Sequence, residues 1–394
     1  MLKQILILFF LLSLNLTSLC KVAINEEIVS VNIFSTTKIN ELLIAPQKGN
    51  YLLIGDGNKI LELDETSIIK ASLLNDEIEI KAFENNLGTF KSISFVSESD
   101  EKYFKIKLLN PDRKPRFYDD NLTISIDEKL GLKLINTTEI DNYIAGVSEA
   151  EVGKSAGIEF YKVQSVLART YVLAHLYKHL TEGFNLCDQV HCQAFNGKST
   201  NNNIVDAVIE TKGQVVVDKD LQLITAAFHS NSGGQTANSE DVWGARTSYL
   251  KSVTDTFSLK MPNAYWKKNI AKDEWFNYLK IKHKIPIESD DALIVALNFK
   301  NDNRKSFLEF ENFKIPLKTV RTDLKLKSAF FDIDFDKENN NVIFSGRGFG
   351  HGIGLSQEGA IYMTKSGYSY KEVLNFYYQN IHIIDLKELH FFKE

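Results

Sequence analysis

The sequence predicts an α+β protein, with mixed helices and antiparallel strands forming a cleft behind a β-rich N-terminal region. Three observations carry this. Residues 22 to 110 alternate apolar and polar side chains in VSVNIF, YLLIGD, IEIKAF, SISFVS and YFKIKLL, with Gly, Asn and Asp turns between them. Two apolar stripes of helical period follow between residues 140 and 180. Strand-like segments then return up to a glycine-rich run, SGRGFGHGIGLSQEGA, at 345 to 360. The 394 residues exceed one average domain, and 44% apolar with 25% charged side chains is ordinary for a folded globular chain.

Residues 1–20, MLKQILILFFLLSLNLTSLC, read as an export signal, with one early lysine, an unbroken apolar core from Ile5 to Leu12, and small side chains at Ser18 and Cys20. The protein is therefore expected in the periplasm or cell envelope. An uncleaved anchor and a lipoprotein acylated at Cys20 are the alternatives; Leu19 is bulky for the latter. A membrane contact is expected only through this segment if it stays attached. The net charge of −5 argues against nucleic acid as a partner. Residues 21–115 form the β-rich region, PDRKPRFYDD at 111–120 reads as a linker, and 116–394 carry the functional motifs.

After Thr137 and Thr138, which can cap a helix, Ile140, Tyr143, Ile144 and Val147 fall on one helical face. Glu151 lies about 20° from Ile140 on that stripe, whereas Glu149 points to the other side. A partly buried carboxyl holds its proton to higher pH, which suits a general acid. The alternative is a helix that frays before Gly153 and leaves Glu151 in water. A second helix is expected from Ser155 to about Leu180, with Val163, Val166, Leu167, Thr170, Ala174 and Tyr177 on its buried face, Arg169 toward the edge, and His175 and His179 one turn apart.

FNLCDQVHCQAF adds Cys187, His191 and Cys192. Two readings stay open: a disulfide, the default for a cysteine pair in an exported protein, or a closed zinc site of Cys187, His191, Cys192 and His179 (or His175), structural because no position is left for water. His229 and Ser230 invite a Ser-His reading, but no G-x-S-x-G elbow or orienting acid accompanies them. In the glycine run, Gly346 to Gly354 take alternate positions without a Rossmann or P-loop pattern. That leaves a strand packed against other backbone, or a bare face for a flat polymer. Residues 260 to 345 read as a looser α+β stretch, and a helix with an aromatic side is expected near Tyr370 to Tyr378.

Four stretches in order, YIAGVSEAEVG, KVQSVLARTYVLA, LCDQVHCQAF with FHSNSGGQT and VWG, and GRGFGHGIGLSQEGA, resemble the stage II sporulation protein D (SpoIID/LytB) family over roughly residues 135 to 385. The resemblance implies a peptidoglycan lytic transglycosylase acting on peptide-stripped glycan strands. It places the catalytic role on Glu151, and implies zinc at the Cys187, His191, Cys192 loop. Gln164, Arg169, His229, Ser230, Ser232, His351 and Gln357 are the expected strand-holding residues. A non-catalytic glycan binder that stimulates a cell-wall amidase is the rival expectation, and a zinc-dependent wall hydrolase the third. Val152 and Gly153 depart from the Met and Pro common in the family at those places. The resemblance leaves the first 110 residues uncovered, and nothing in the sequence shows that its owner sporulates.

Overall fold

The structure, a computed structural model, describes residues 27–393. The expected export signal at residues 1–20 lies outside the described residues. Among the described residues no helix is long and apolar enough to cross a membrane.

The alternating N-terminal segments form two mainly antiparallel layers. The first has seven strands, in the order Leu186–Cys187, Ile28–Ile33, Gly131–Glu139, Asn121–Asp127, Ile93–Val96, Tyr51–Gly55, Asn58–Leu63. The second has six and is centred on the pair Glu41–Lys48 and Tyr103–Asn110. Their period-two apolar faces share one core: Val29, Val31 and Leu53 from the first sheet lie with Leu42, Ile44 and Ile80 from the second. Each such side chain contributes roughly 1.5–3 kcal/mol on burial. The stretch read as a linker is not free chain, because Arg116–Asp119 pairs with Tyr103–Asn110. Residues 121–139 then complete the first sheet, so this core continues past residue 115.

Helix α1 (Ile140–Val152) buries Ile140, Tyr143, Ile144 and Val147, the predicted stripe. Its start differs from expectation. Glu139 precedes it without a side-chain cap, and the Thr138 hydroxyl donates instead to Asp120 Oδ2 at 2.6 Å. Gly153, at φ +76°, ends it with its N–H on Glu149 O.

Helix α2 (Ile158–Ala174) stops about a turn and a half short of the predicted end. At His175 the backbone N–H turns to Val172 O and Nδ1 meets Tyr171 O at 2.7 Å, while Ala174 and Tyr177 are exposed. His175 and His179 therefore do not share a helical face. α2 is wedged between the first core and a second one, in which Phe160, Val163, Val166 and Leu167 meet the helices Gln357–Lys365 and Tyr370–Tyr377. The latter is the predicted C-terminal helix, opened by a capping box of Ser369 and Glu372.

Gln214–Val217 pairs with His382–Asp385. One other expectation is corrected. Residues 260 to 345 are not loose: Tyr265–Ala271, Phe331–Asp336 and Asn341–Arg347 form a three-stranded sheet over a third core containing Trp275, Phe331 and Phe344.

Candidate functional site

Glu151 occupies the last turn of α1 and is half buried. Its Oε1 accepts the backbone N–H of Ala194 at 3.0 Å. Burial pushes its carboxyl above the usual glutamate range, and that single backbone hydrogen bond offsets only part of the rise. Glu149, two residues earlier, has the opposite environment. Ser199 Oγ (2.7 Å), Thr200 N (2.9 Å) and Lys154 Nζ (3.2 Å) surround its carboxylate, and these bonds outweigh burial to lower it. Two carboxylates two residues apart in sequence are thus pushed in opposite directions, the pattern that separates an acid from a bystander.

The loop that supplies Ala194 also carries the cysteines. Leu186–Cys187 adds in parallel to the edge strand Ile28–Ile33. Asp188 fixes the turn by accepting Phe34 N (2.7 Å) and Ser35 Oγ (2.7 Å). The N-terminal sheet is thereby the platform on which this loop stands. His179, Cys187, His191 and Cys192 converge so that one ligand atom of each lies within 4.8 Å of every other. Cys187 Sγ and Cys192 Sγ are 3.4 Å apart, and Cys192 Sγ is 3.5 Å from His179 Nε2. His191 Nδ1 is 3.8 Å from both sulfurs.

Both cysteines are free here, so the disulfide reading is not the state observed. A tetrahedral site with metal–sulfur bonds of about 2.3 Å and metal–nitrogen bonds of about 2.0–2.1 Å has ligand–ligand edges of roughly 3.3–3.8 Å, which these separations match. Glu182 Oε1 holds His179 Nδ1 at 2.5 Å and so aims Nε2 at the sulfurs, as a carboxylate behind a metal-binding imidazole does. The donor set fits a closed, structural metal ion. His175, the other histidine considered, stays outside and stacks on Tyr171.

Tyr143 links the two features. Its ring meets Phe195 at 5.0 Å between centroids, and its buried hydroxyl has no partner among the described protein groups. Burial, then the neighbouring Cys192, Tyr171, Cys187 and Glu151, push the phenol well up. The sequence stripe marked Tyr143 as core only; a tyrosine rather than a phenylalanine at a buried stripe position was the signal of a polar neighbour. Lys178 was missed altogether, and it spans Tyr171 Oη (3.2 Å) and His191 O (2.5 Å).

The other expected residues divide. Gln164 is fully buried on α2 with neither amide atom bonded to protein, as is Gln193 beside Ala194. Ser148, one turn before Glu151, is in the same condition. Buried polar groups of this kind are normally satisfied by water or ligand. Arg169 turns the other way, donating to Asp141 Oδ1 (2.9 Å) and to the carbonyl of Thr211 (2.7 Å), and it is 2% exposed. It ties α1 and α2 to α3 (Asn202–Glu210) instead of facing a strand. A cavity of about 610 Å³ beside Arg169 is not lined by Glu151.

His229, Ser230, Ser232, His351 and Gln357 gather where Phe228–His229 runs parallel to Leu355–Ser356. Ser232 is buried on Asp255 Oδ2 (2.7 Å), and the Ser230 carbonyl accepts from Glu358 N (2.9 Å). Gln357 opens the helix that follows, with its Nε2 buried and unpartnered.

The glycine run is not a flat strand. The strand Asn341–Arg347 ends at once, and Gly348, Gly350, Gly352 and Gly354 all have positive φ. A β-carbon at Gly346 would meet the Trp266 ring, at Gly350 the His229 side chain, and at Gly352 the Arg304 guanidinium. The bare positions are filled by the protein's own groups, so the packing alternative describes them and the sugar-face alternative does not.

With this geometry in hand, similar proteins can be placed beside it. An uncharacterized protein of Brachyspira hyodysenteriae is 29% identical over 64% of this chain and 68% of its own length. Stage II sporulation protein D of Bacillus subtilis is 25% identical over 63% of the chain and 75% of its own. The amidase enhancer of Bacillus subtilis is 28% identical over 67% of the chain, which spans only 45% of that relative. The family model described as Stage II sporulation protein matches residues 128–217, the segment that holds α1, α2, the His/Cys cluster and α3, and over that segment the chain is similar to the SpoIID family.

Proposed function

We propose that the protein is an exported cell-wall enzyme, a lytic transglycosylase that cuts peptide-stripped glycan strands between N-acetylmuramic acid and N-acetylglucosamine. The observation that carries this reading is Glu151, a desolvated carboxyl with one backbone donor and a raised proton affinity. Glycosidases that use water need a second carboxylate as nucleophile or base. Glu149 is bound up with Ser199, Thr200 and Lys154, which leaves one free acid.

A single acid suffices when the sugar supplies its own nucleophile. Protonated Glu151 gives its proton to the leaving glycosidic oxygen as the C1–O bond breaks and the ring becomes oxocarbenium-like. The muramic 6-hydroxyl then attacks C1 and returns its proton to the Glu151 carboxylate. The product is a 1,6-anhydro sugar, and no water is consumed. Such acid–base work supplies on the order of 10²–10⁴ in rate, with the rest from holding the strand in register. A metal ion held by His179, Cys187, His191 and Cys192 would supply rigidity to the loop that aims Ala194 at Glu151, not a step of the reaction.

The Bacillus relative called amidase enhancer favours a second reading, a strand binder that stimulates a wall amidase. Incubating the purified protein and its Glu151→Gln variant with peptide-free strands, followed by mass spectrometry, separates the two. Anhydro-terminated fragments from the native protein alone are expected. Intact strands with retained binding would overturn the enzyme reading in favour of the binder.

A further inference from the structure

A second cluster of chemistry lies where the third core region meets His351. A cavity of about 30 Å³ is lined by Arg304, Lys305, Lys318, Arg321 and His351, with the exposed Asp241 as the carboxylate among its lining residues. One water needs about 10–15 Å³ of such space, so this one suits two or three heavy atoms, the size of a carboxylate.

The cations here are short of counter-charge. Arg304 donates Nη1 to the carbonyls of Ser232 (2.8 Å) and Gln235 (2.7 Å), and Arg321 donates Nε to Lys327 O (3.2 Å). Lys318 Nζ rests on Val242 O (2.8 Å) and Lys305 Nζ on Lys300 O (3.0 Å). Asp241 is engaged with Asn238 Nδ2 at 2.8 Å. The buried Arg169, by contrast, meets the Asp141 carboxylate. The place of Arg304 is built in, since Gly352 has no β-carbon to obstruct its guanidinium.

The histidines add no charge of their own. His351 accepts Ile353 N–H on Nδ1 (3.0 Å), and burial with the nearby Arg321 and Arg304 holds it down to about 4. Behind it, rings 5.5 Å apart, His229 is 4% exposed, bonds Ile353 O through Nδ1, and leaves Nε2 without a partner. Also beside His351, at 5.7 Å, the Trp243 indole is 46% exposed. A half-exposed aromatic face beside a small cationic pocket matches a ligand that is a ring bearing an acid.

We propose that this cavity is a carboxylate-binding site for a sugar acid, with Arg321 and Arg304 holding the carboxylate and Trp243 lying against the ring that carries it. The consequence rests on the glycan reading above. A muramic residue shows a free lactyl carboxylate only after its peptide is removed, because the peptide bond converts that group to a neutral amide. The site would therefore distinguish stripped strands from unstripped ones.

Calorimetric titration of the full chain tests this with four probes: N-acetylmuramic acid, its methyl ester, N-acetylglucosamine and D-lactate. The acid is expected to bind, more weakly as salt is added, and the ester and N-acetylglucosamine to bind at least about tenfold less tightly. Arg321→Gln should lose about tenfold or more with an unchanged circular dichroism spectrum, and Arg321→Lys should recover part of it. If Arg321→Gln fails to fold, the exposed Lys318→Gln is expected to weaken the acid but not the ester. Equal binding of acid and ester, or undiminished affinity in the folded variants, overturns the site. D-lactate binding as tightly as N-acetylmuramic acid overturns the share given to Trp243. Absence of strand cleavage by the native protein with carboxylate binding intact would sink the enzyme reading alone.

Discussion

Gly146→Ala sets two opposed effects against each other at the site. Gly146 lies in the middle of α1, where alanine is favoured over glycine by about 1 kcal/mol on helix propensity alone. Packing opposes it. A β-carbon there would run into the Gly197 carbonyl and the Phe195 ring. The carbonyl belongs to a backbone that cannot retreat: Gly197 sits at φ +105° with its own missing β-carbon against Phe117 O, and Lys198 N–H is bonded to that same oxygen at 2.7 Å. The loop is thus wedged between α1 and the strand Arg116–Asp119. Overpacking costs about 1–3 kcal/mol, more where rigid backbone must move, so clash exceeds propensity and a net loss of about 1–2 kcal/mol is expected. At about 2–4 °C per kcal/mol, thermal unfolding should shift down by several degrees. The same displacement pulls Ala194 from Glu151, so strand cleavage should fall more than stability does. A variant as stable as the parent, or more so, refutes the wedge.

Metal removal is the next test. A chelator, or Cys192→Ser, should lower the melting temperature and strand cleavage together, since the His179, Cys187, His191, Cys192 quartet braces the Ala194 loop; turnover lost at an unchanged melting temperature would point instead to metal chemistry. Arg169→Met should destabilise by about 3–5 kcal/mol, because Asp141 and the Thr211 carbonyl lose their buried partner; an unchanged melting curve with weakened glycan binding would restore Arg169 to a strand-holding role. Glu151 has a raised folded pKa, so the folded state holds its proton more tightly than the unfolded chain. Its contribution is intact below the ordinary glutamate value and is lost as pH climbs through the raised one. Cleavage, which needs the protonated acid, should persist above that ordinary value and fall through the same window, and Glu151→Gln should flatten the accompanying loss of stability seen in pH-resolved melting.

Much of the site was legible because it follows local periodicity. The stripe Ile140, Tyr143, Ile144, Val147 predicts which way α1 faces, and Glu151 inherits its burial from that stripe. Ile28–Ile33, Tyr51–Gly55 and Tyr103–Asn110 were readable for the same reason, each burying every second side chain. The structure brings the expected quartet together by another route than the helical spacing of His175 and His179: α2 ends at Ala174, and His179 arrives on a turn anchored by Glu182. The glycine run misled, since alternation in sequence implies an extended strand, whereas four of its glycines lie in the left-handed region.

What the sequence determines by itself is the periodic part: two β-rich layers' worth of alternation, a helix with one inward acid, a cysteine-histidine loop and a family signature. What the tertiary structure decided is where each polar group spends its bonds. Arg169 and Ser232 carry side chains suited to holding sugar, yet Asp141 and Asp255 take them. Arg304 carries no motif, and its cavity is assembled from residues 237 to 351. A side chain's chemistry is written at its own position, but its availability depends on partners tens of residues away, and only folding brings those within reach.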